Sequence, residues 1–200
     1  MLVVALLPAE VMAQTAEPKT EPRYVLMAGA GHGTTWDDEG LLGHGIGLSA
    51  AAGMRIGPRF TILGLVDRVS YYRDVDWLTF DGRTVFAGAE LSLQLGTGRT
   101  RPYVTFGAGV LNDDGIWVRK TQTGPSQPRM EERTDREGTR AAMTGSGGIE
   151  VGVAPRVSLR GGLRFYGKHD ILNGAFDAQL GHDPFPHLII QPTVAAVLRF

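Results

Sequence analysis

The 200-residue chain carries 20 Lys and Arg against 21 Asp and Glu, a formal net charge of −1, with 42% hydrophobic residues. That balance excludes wholesale disorder and offers no polycationic surface, so no nucleic-acid partner is expected. The absence of Cys removes disulfides, thiolate metal sites and Cys nucleophiles, and no apolar run reaches the about 20 residues of a membrane helix.

The chain opens on an apolar run, Leu2 to Leu7, closed by Pro8, with Val11-Met12-Ala13 ahead of Gln14. This is the pattern of a secretory signal core and cleavage site over 1–13, without a basic stretch before it. A short N-terminal helix packed on a core is the alternative. Residues 14–23, polar and Pro-containing, read as a flexible periplasmic lead-in.

From Tyr24 onward no helical period persists. Eight stretches of alternating apolar and small residues follow instead: Tyr24–Gly31, Gly45–Ile56, Phe60–Tyr72, Thr84–Leu95, Arg101–Leu111, Ala141–Val153, Val157–Tyr166 and Leu188–Phe200. Several exceed the usual soluble strand and match the length of a tilted membrane strand, about 9–11 residues. The links after the second, fourth and sixth stretches are short (Gly57-Pro58-Arg59, 96–100 and Ala154-Pro155-Arg156), whereas the others are long and polar. The third long link, Asn112 to Arg140, reads as a mobile loop. Strict long–short alternation with an even strand count predicts a closed eight-stranded antiparallel up-and-down transmembrane β-barrel over 24–200, with short turns on the periplasmic side and long loops outside.

Each stretch has two faces. The seventh sets Val157, Leu159, Gly161, Leu163 and Phe165 against Ser158, Arg160, Gly162, Arg164 and Tyr166, and the sixth sets Met143, Ile149, Val151 and Val153 against Thr144, Ser146, Gly148 and Glu150. The second, fourth and eighth divide in the same way, while the first and third stay unassigned. Periodicity alone cannot say which face points inward. A polar face poor in Lys, rich in Gly and Ser and charged in both signs favours a narrow, crowded interior, with the apolar face outward to lipid. If Val153 and Val157 flank their turn, Glu150 faces Arg160 and Ser146 faces Arg164. Glu150, Arg160, Arg164, Glu90, Arg55, Arg199 and Asp67 are therefore the candidates for an interior ion network, in which a carboxylate requires an opposed guanidinium.

The ending TVAAVLRF places Phe200 at the last position of the apolar face. Here the sequence resembles the small outer-membrane β-barrel proteins of the OmpA/OmpX/OmpW-like group. The resemblance implies a bacterial outer-membrane location, lipid and lipopolysaccharide as surroundings, and recognition by the barrel-assembly machinery through Phe200. Trp36, Trp77 and Trp117 fall in or beside the long links, where aromatics with a polar edge collect at a membrane interface; aromatics packing on one another are the alternative. Most acids also lie in the long links, and the third holds bases suited to lipopolysaccharide phosphates, although a merely solvated loop reads the same way.

No catalytic constellation emerges. His32, His44, His169, His182 and His187 lie in or beside the long links without a nucleophile at a matching spacing or a recognised metal-ligand pattern, so no metal and no cofactor are expected. Gly29-Ala30-Gly31-His32-Gly33 is followed by no helix and is no phosphate loop. The expected function is a non-enzymatic, monomeric outer-membrane barrel with a structural or surface-interaction role through its long loops. The alternatives are a narrow conduit for small hydrophobic compounds and a lipid-modifying enzyme.

Overall fold

The computed structural model describes residues 23–37, 40–75, 78–121, 130–168 and 188–200. The signal-like segment 1–13 and nearly all of 14–23 lie outside the described residues, as do Trp77, His169, His182 and His187. The described chain forms eight strands: β1 (Tyr24–Asp37), β2 (Gly40–Arg55), β3 (Phe60–Val75), β4 (Leu78–Gln94), β5 (Thr100–Thr121), β6 (Met130–Ala154), β7 (Val157–Lys168) and β8 (Leu188–Arg199). Each pairs antiparallel with its chain neighbour, and β1 closes on β8 to complete the barrel. Closure leaves no strand edge unpaired. It is sealed at the short-turn end, where Tyr24 N donates to Phe200 O at 2.8 Å and Phe200 N to Tyr24 O at 3.1 Å.

The register fixes the tilt. Following directly opposed residues once around the wall leads from Met54 through Ile62, Leu91, Phe106, Gly145, Phe165, Ile190 and Thr34 to His44, ten residues along β2 from the start. A stagger of that size over eight strands inclines them by roughly 40° to the axis.

Alternation along the strands separates the two faces. Ile46, Leu48, Leu91, Phe106, Ile149, Leu159, Leu163, Val194 and Leu198 are exposed on the outside, while Glu90, Ser92, Ser146, Glu150, Ser158, Arg160 and Arg164 are buried within. The two unassigned strands alternate as well. On β3, Leu63, Leu65 and Val69 point inward and Ile62 and Val66 outward; on β1, Val25 and Met27 are buried and Tyr24 and Leu26 exposed. Apolar residues on both faces of β3 are what obscured it. The bore mixes both kinds: Ser49, Thr61 and Asp67 are buried on β2 and β3 beside apolar residues, and Phe86 and Leu111 on β4 and β5 beside polar ones.

Strand ends differ from the sequence expectation in one direction. The strands continue beyond the long-link boundaries, and Asn112 to Arg140 is mostly a paired hairpin rather than a mobile loop: Asn112 opposes Thr139, and pairing runs on to Thr121 opposite Met130. In these extensions polar residues stand on the inward face as well, Thr35 and Asp113 among them, so hydrophobic alternation stops while hydrogen-bonded pairing continues. Several acids assigned to long links accordingly sit on strands, among them Asp74, Asp81, Asp113 and Asp114. At the opposite end the turns are short; Gly96 supplies the left-handed backbone, φ 122°, that starts the β4–β5 turn.

Candidate functional site

The interior is built around one carboxylate near the short turns. Glu150 is fully buried on β6 and opposes Arg160 across the β6–β7 hairpin. Its Oε2 accepts from Arg160 Nη2 at 3.1 Å and Gln94 Nε2 at 3.0 Å, and its Oε1 from Arg101 Nη2 at 3.1 Å and Ser158 Oγ at 2.9 Å. Arg199 reaches the same oxygen and also donates to Ser158 at 2.7 Å. The Arg160 guanidinium lies 4.1 Å over the Tyr103 ring, a cation–π contact within the bore. Gly162 makes room for that ring: a Cβ there would come within 2.5 Å of the Tyr103 hydroxyl.

Further along the strands, Arg164 bridges two carboxylates across the lumen, Asp67 on β3 at 3.3 Å and Glu90 on β4 at 3.2 Å. Tyr166 donates to Asp67 at 2.5 Å and Thr144 to Glu90 at 3.1 Å. Beyond this cluster the bore turns apolar. Phe86, Leu111, Ile189 and Val69 are each at most 2% exposed, and Phe86 packs on Tyr166 with ring centroids 5.1 Å apart. Above them a chain of hydroxyls runs from Tyr71 to Thr84 (2.8 Å) and on to Asp113 Oδ1 (2.6 Å), roofed by Phe80 stacked on Tyr71 at 5.3 Å.

Of the sequence candidates, Glu150, Arg160 and Arg199 come together in the first cluster and Arg164, Glu90 and Asp67 in the second. Arg55, beside the turn after β2, donates to the Pro58 carbonyl at 2.8 Å. Arg101, Gln94 and Tyr166 escaped sequence reasoning. The signal for Arg101 lies in β5–β6 register, where it opposes Glu150, but a long connection gives no anchor from which to count. Phe200 is half exposed on the outside, its ring 5.9 Å from that of Tyr24. Trp36 and Trp117 are placed on β1 and β5 by their backbones.

At the long-connection end the β5–β6 hairpin carries charges on exposed surface. Arg83 meets Asp114 at 2.6 Å and Lys120 meets Asp74 at 2.8 Å. His32 and His44 lie near each other, ring centroids 5.7 Å apart. Among the described residues, no group of three His, Asp or Glu side chains is disposed to hold a metal.

A closed, tilted, eight-stranded meander with an apolar exterior and a charged, filled interior is the fold of the small bacterial outer-membrane β-barrels. Several solved structures that it resembles are of that class. Neisserial surface protein A superposes with a TM-score of 0.56 at 16% identity, covering 88% of this chain and 97% of that one. A major outer membrane protein from Thermus thermophilus gives 0.59 at 13%, covering 89% and 98%. Ail, the attachment invasion locus protein of Yersinia pestis, in complex with the heparin analogue sucrose octasulfate, gives 0.55 at 10%, covering 90% and 99%. No protein-family model and no curated protein sequence matches the chain.

Proposed function

We propose that this chain is a non-enzymatic barrel of the bacterial outer membrane whose activity is attachment, carried by the strand extensions at its long-connection end. The observation that carries this reading is the β5–β6 hairpin, which stays paired to Thr121 and Met130, nine residues beyond Asn112 on β5 and nine before Thr139 on β6. A paired ribbon presents charged side chains in fixed positions, as a binding surface needs and a solvated tether does not. The filled bore supports the same reading, because it leaves the wall little volume for a ligand. Two of the similar barrels bear names that denote a surface protein and an attachment locus.

In this reading the apolar band faces lipid, the short turns face the periplasm, and Phe200 is the handle for the assembly machinery. Lipopolysaccharide surrounds the outer rim, where Arg68 stands on the outward face between Leu48 and Val85. The test is adhesion of cells bearing the intact or hairpin-shortened barrel to immobilised lipopolysaccharide and host-matrix surfaces over a range of salt. Loss of attachment by a correctly assembled short form supports the proposal. Undiminished attachment at every salt concentration overturns it.

A further inference from the structure

Among the described residues, the exposed charged side chains in and beside the short turns are of one sign. Arg23 precedes β1, Arg59 ends the β2–β3 turn, Arg99 lies in the β4–β5 turn and Arg156 in the β6–β7 turn, and all four are exposed. Successive hairpins stand side by side around a closed wall, so this spacing sets one arginine on each quarter of the rim. Among the described residues the only aspartate or glutamate at this end is Glu150, which points into the bore. Glu150 is already met by Arg101, Arg160 and Arg199, so it leaves the rim uncompensated. The Nε atoms of Arg101 and Arg160 are buried with no hydrogen-bond partner, as follows where three guanidiniums share one carboxylate.

The rim arginines also sit at a definite depth. Arg23, Arg59 and Arg156 each immediately precede a residue of the outward apolar face, Tyr24, Phe60 and Val157. Arg99 is held against the β6 end of the wall by its Nε, which donates to the Gly152 carbonyl at 2.7 Å. The four arginines therefore lie in the chain at the edge of the apolar band, the level at which the membrane reading puts lipid phosphates.

We propose that this arginine collar binds the phosphates of anionic phospholipid headgroups in the leaflet on the short-turn side. Arginine rather than lysine at every position suits the choice, because its planar fork meets phosphate oxygens in pairs. The distribution also favours lipid over a protein partner. Four sites spread around a ring match several small ligands arriving from the side, whereas one protein would have to cap the whole end of the barrel. The proposal rests on the membrane reading above.

Native mass spectrometry of the full chain, released from micelles holding equal phosphatidylglycerol and phosphatidylethanolamine, tests it. The expected result is preferential retention of phosphatidylglycerol, falling about fivefold for each arginine removed along the series Arg59→Gln, Arg99→Gln and Arg156→Gln. Arg83→Gln, further toward the other end, leaves the preference intact. Heat-modifiability on unboiled gels, read in parallel, reports the barrel separately from its lipids, so a failed membrane reading shows there first. Should the triple variant not assemble, the single variants and the salt dependence of the parent's preference carry the test. Equal retention of the two lipids by the parent overturns the proposal. So does a preference untouched by the substitutions, or arginine-dependent capture of purified peptidoglycan without lipid preference.

Discussion

Glu150 shows how much depends on one side chain in a closed barrel. It is fully buried and accepts from three arginines, Gln94 and Ser158, so its removal leaves cations inside the wall with no counter-charge. Glu150→Ala should lower stability by about 3–5 kcal/mol, the cost of breaking a buried pair from one side. Urea unfolding in detergent reads this directly, and an unchanged midpoint would show that the cluster is solvated. Gly162→Ala acts by volume instead. Its new methyl would meet the Gly147 carbonyl oxygen on β6 and come 2.5 Å from the Tyr103 hydroxyl, pressing on the backbone as well as on the ring on which Arg160 rests, and overpacking of this kind costs about 1–3 kcal/mol. The same unfolding experiment measures it, and a parent-like midpoint would show that the β6 backbone and the ring both yield freely. The Glu150–Arg160 pairing was legible in the sequence because a short turn fixes register and permits counting. Asp67 with Arg164 was not, since those residues meet across the lumen from strands that share no hairpin.

At the scale of the strand, alternation decides everything inside the apolar band and nothing beyond it. The eight strands and the division of five of them into two faces could be read from period two, while which face points inward needed the composition of the polar face. The ends could not, because the extensions carry polar residues on both faces, with Asp113 buried within and Asn112 and Asp114 on the other face, and so keep their hydrogen-bonded pairing without a hydrophobic signature. This division makes two predictions. Leu163 sits near mid-strand on the outward face, so Leu163→Arg should destabilise the bilayer-inserted barrel by about 2–4 kcal/mol. If that variant inserts as well as the parent, the face assignment is reversed. Replacing 114–137 with a two-residue Asn-Gly turn should leave assembly and heat-modifiability intact. It joins Asp113 directly to its partner Gly138 and keeps the bond from Thr84 to Asp113. Loss of the heat-dependent gel shift in this short form would show that the hairpin is needed to close the wall.

The molecule as a whole is a plugged cylinder, and the plug has an order that bears on transport. From the short-turn end the bore holds the Glu150 cluster, then Arg164 between Asp67 and Glu90, then an apolar layer of Phe86, Leu111, Ile189 and Val69. An ion travelling this path meets fixed charges of both signs that are already paired, followed by side chains that offer it no ligand. Eight strands enclose little more than the side chains they carry, so the obstruction is set by the width of the barrel as well as by its residues. Liposomes containing the intact protein should therefore retain sugars and small ions as protein-free liposomes do, and planar bilayers should show no discrete conductance steps. Truncating the centre and one end of its central bridge, Arg164→Ala together with Glu90→Ala, should raise leakage of small ions before that of sugars, because two truncated side chains open a gap and not a channel. A steady conductance in the parent, insensitive to shortening of the β5–β6 hairpin, would show that the clusters part in the bilayer and would favour a conduit over an attachment protein.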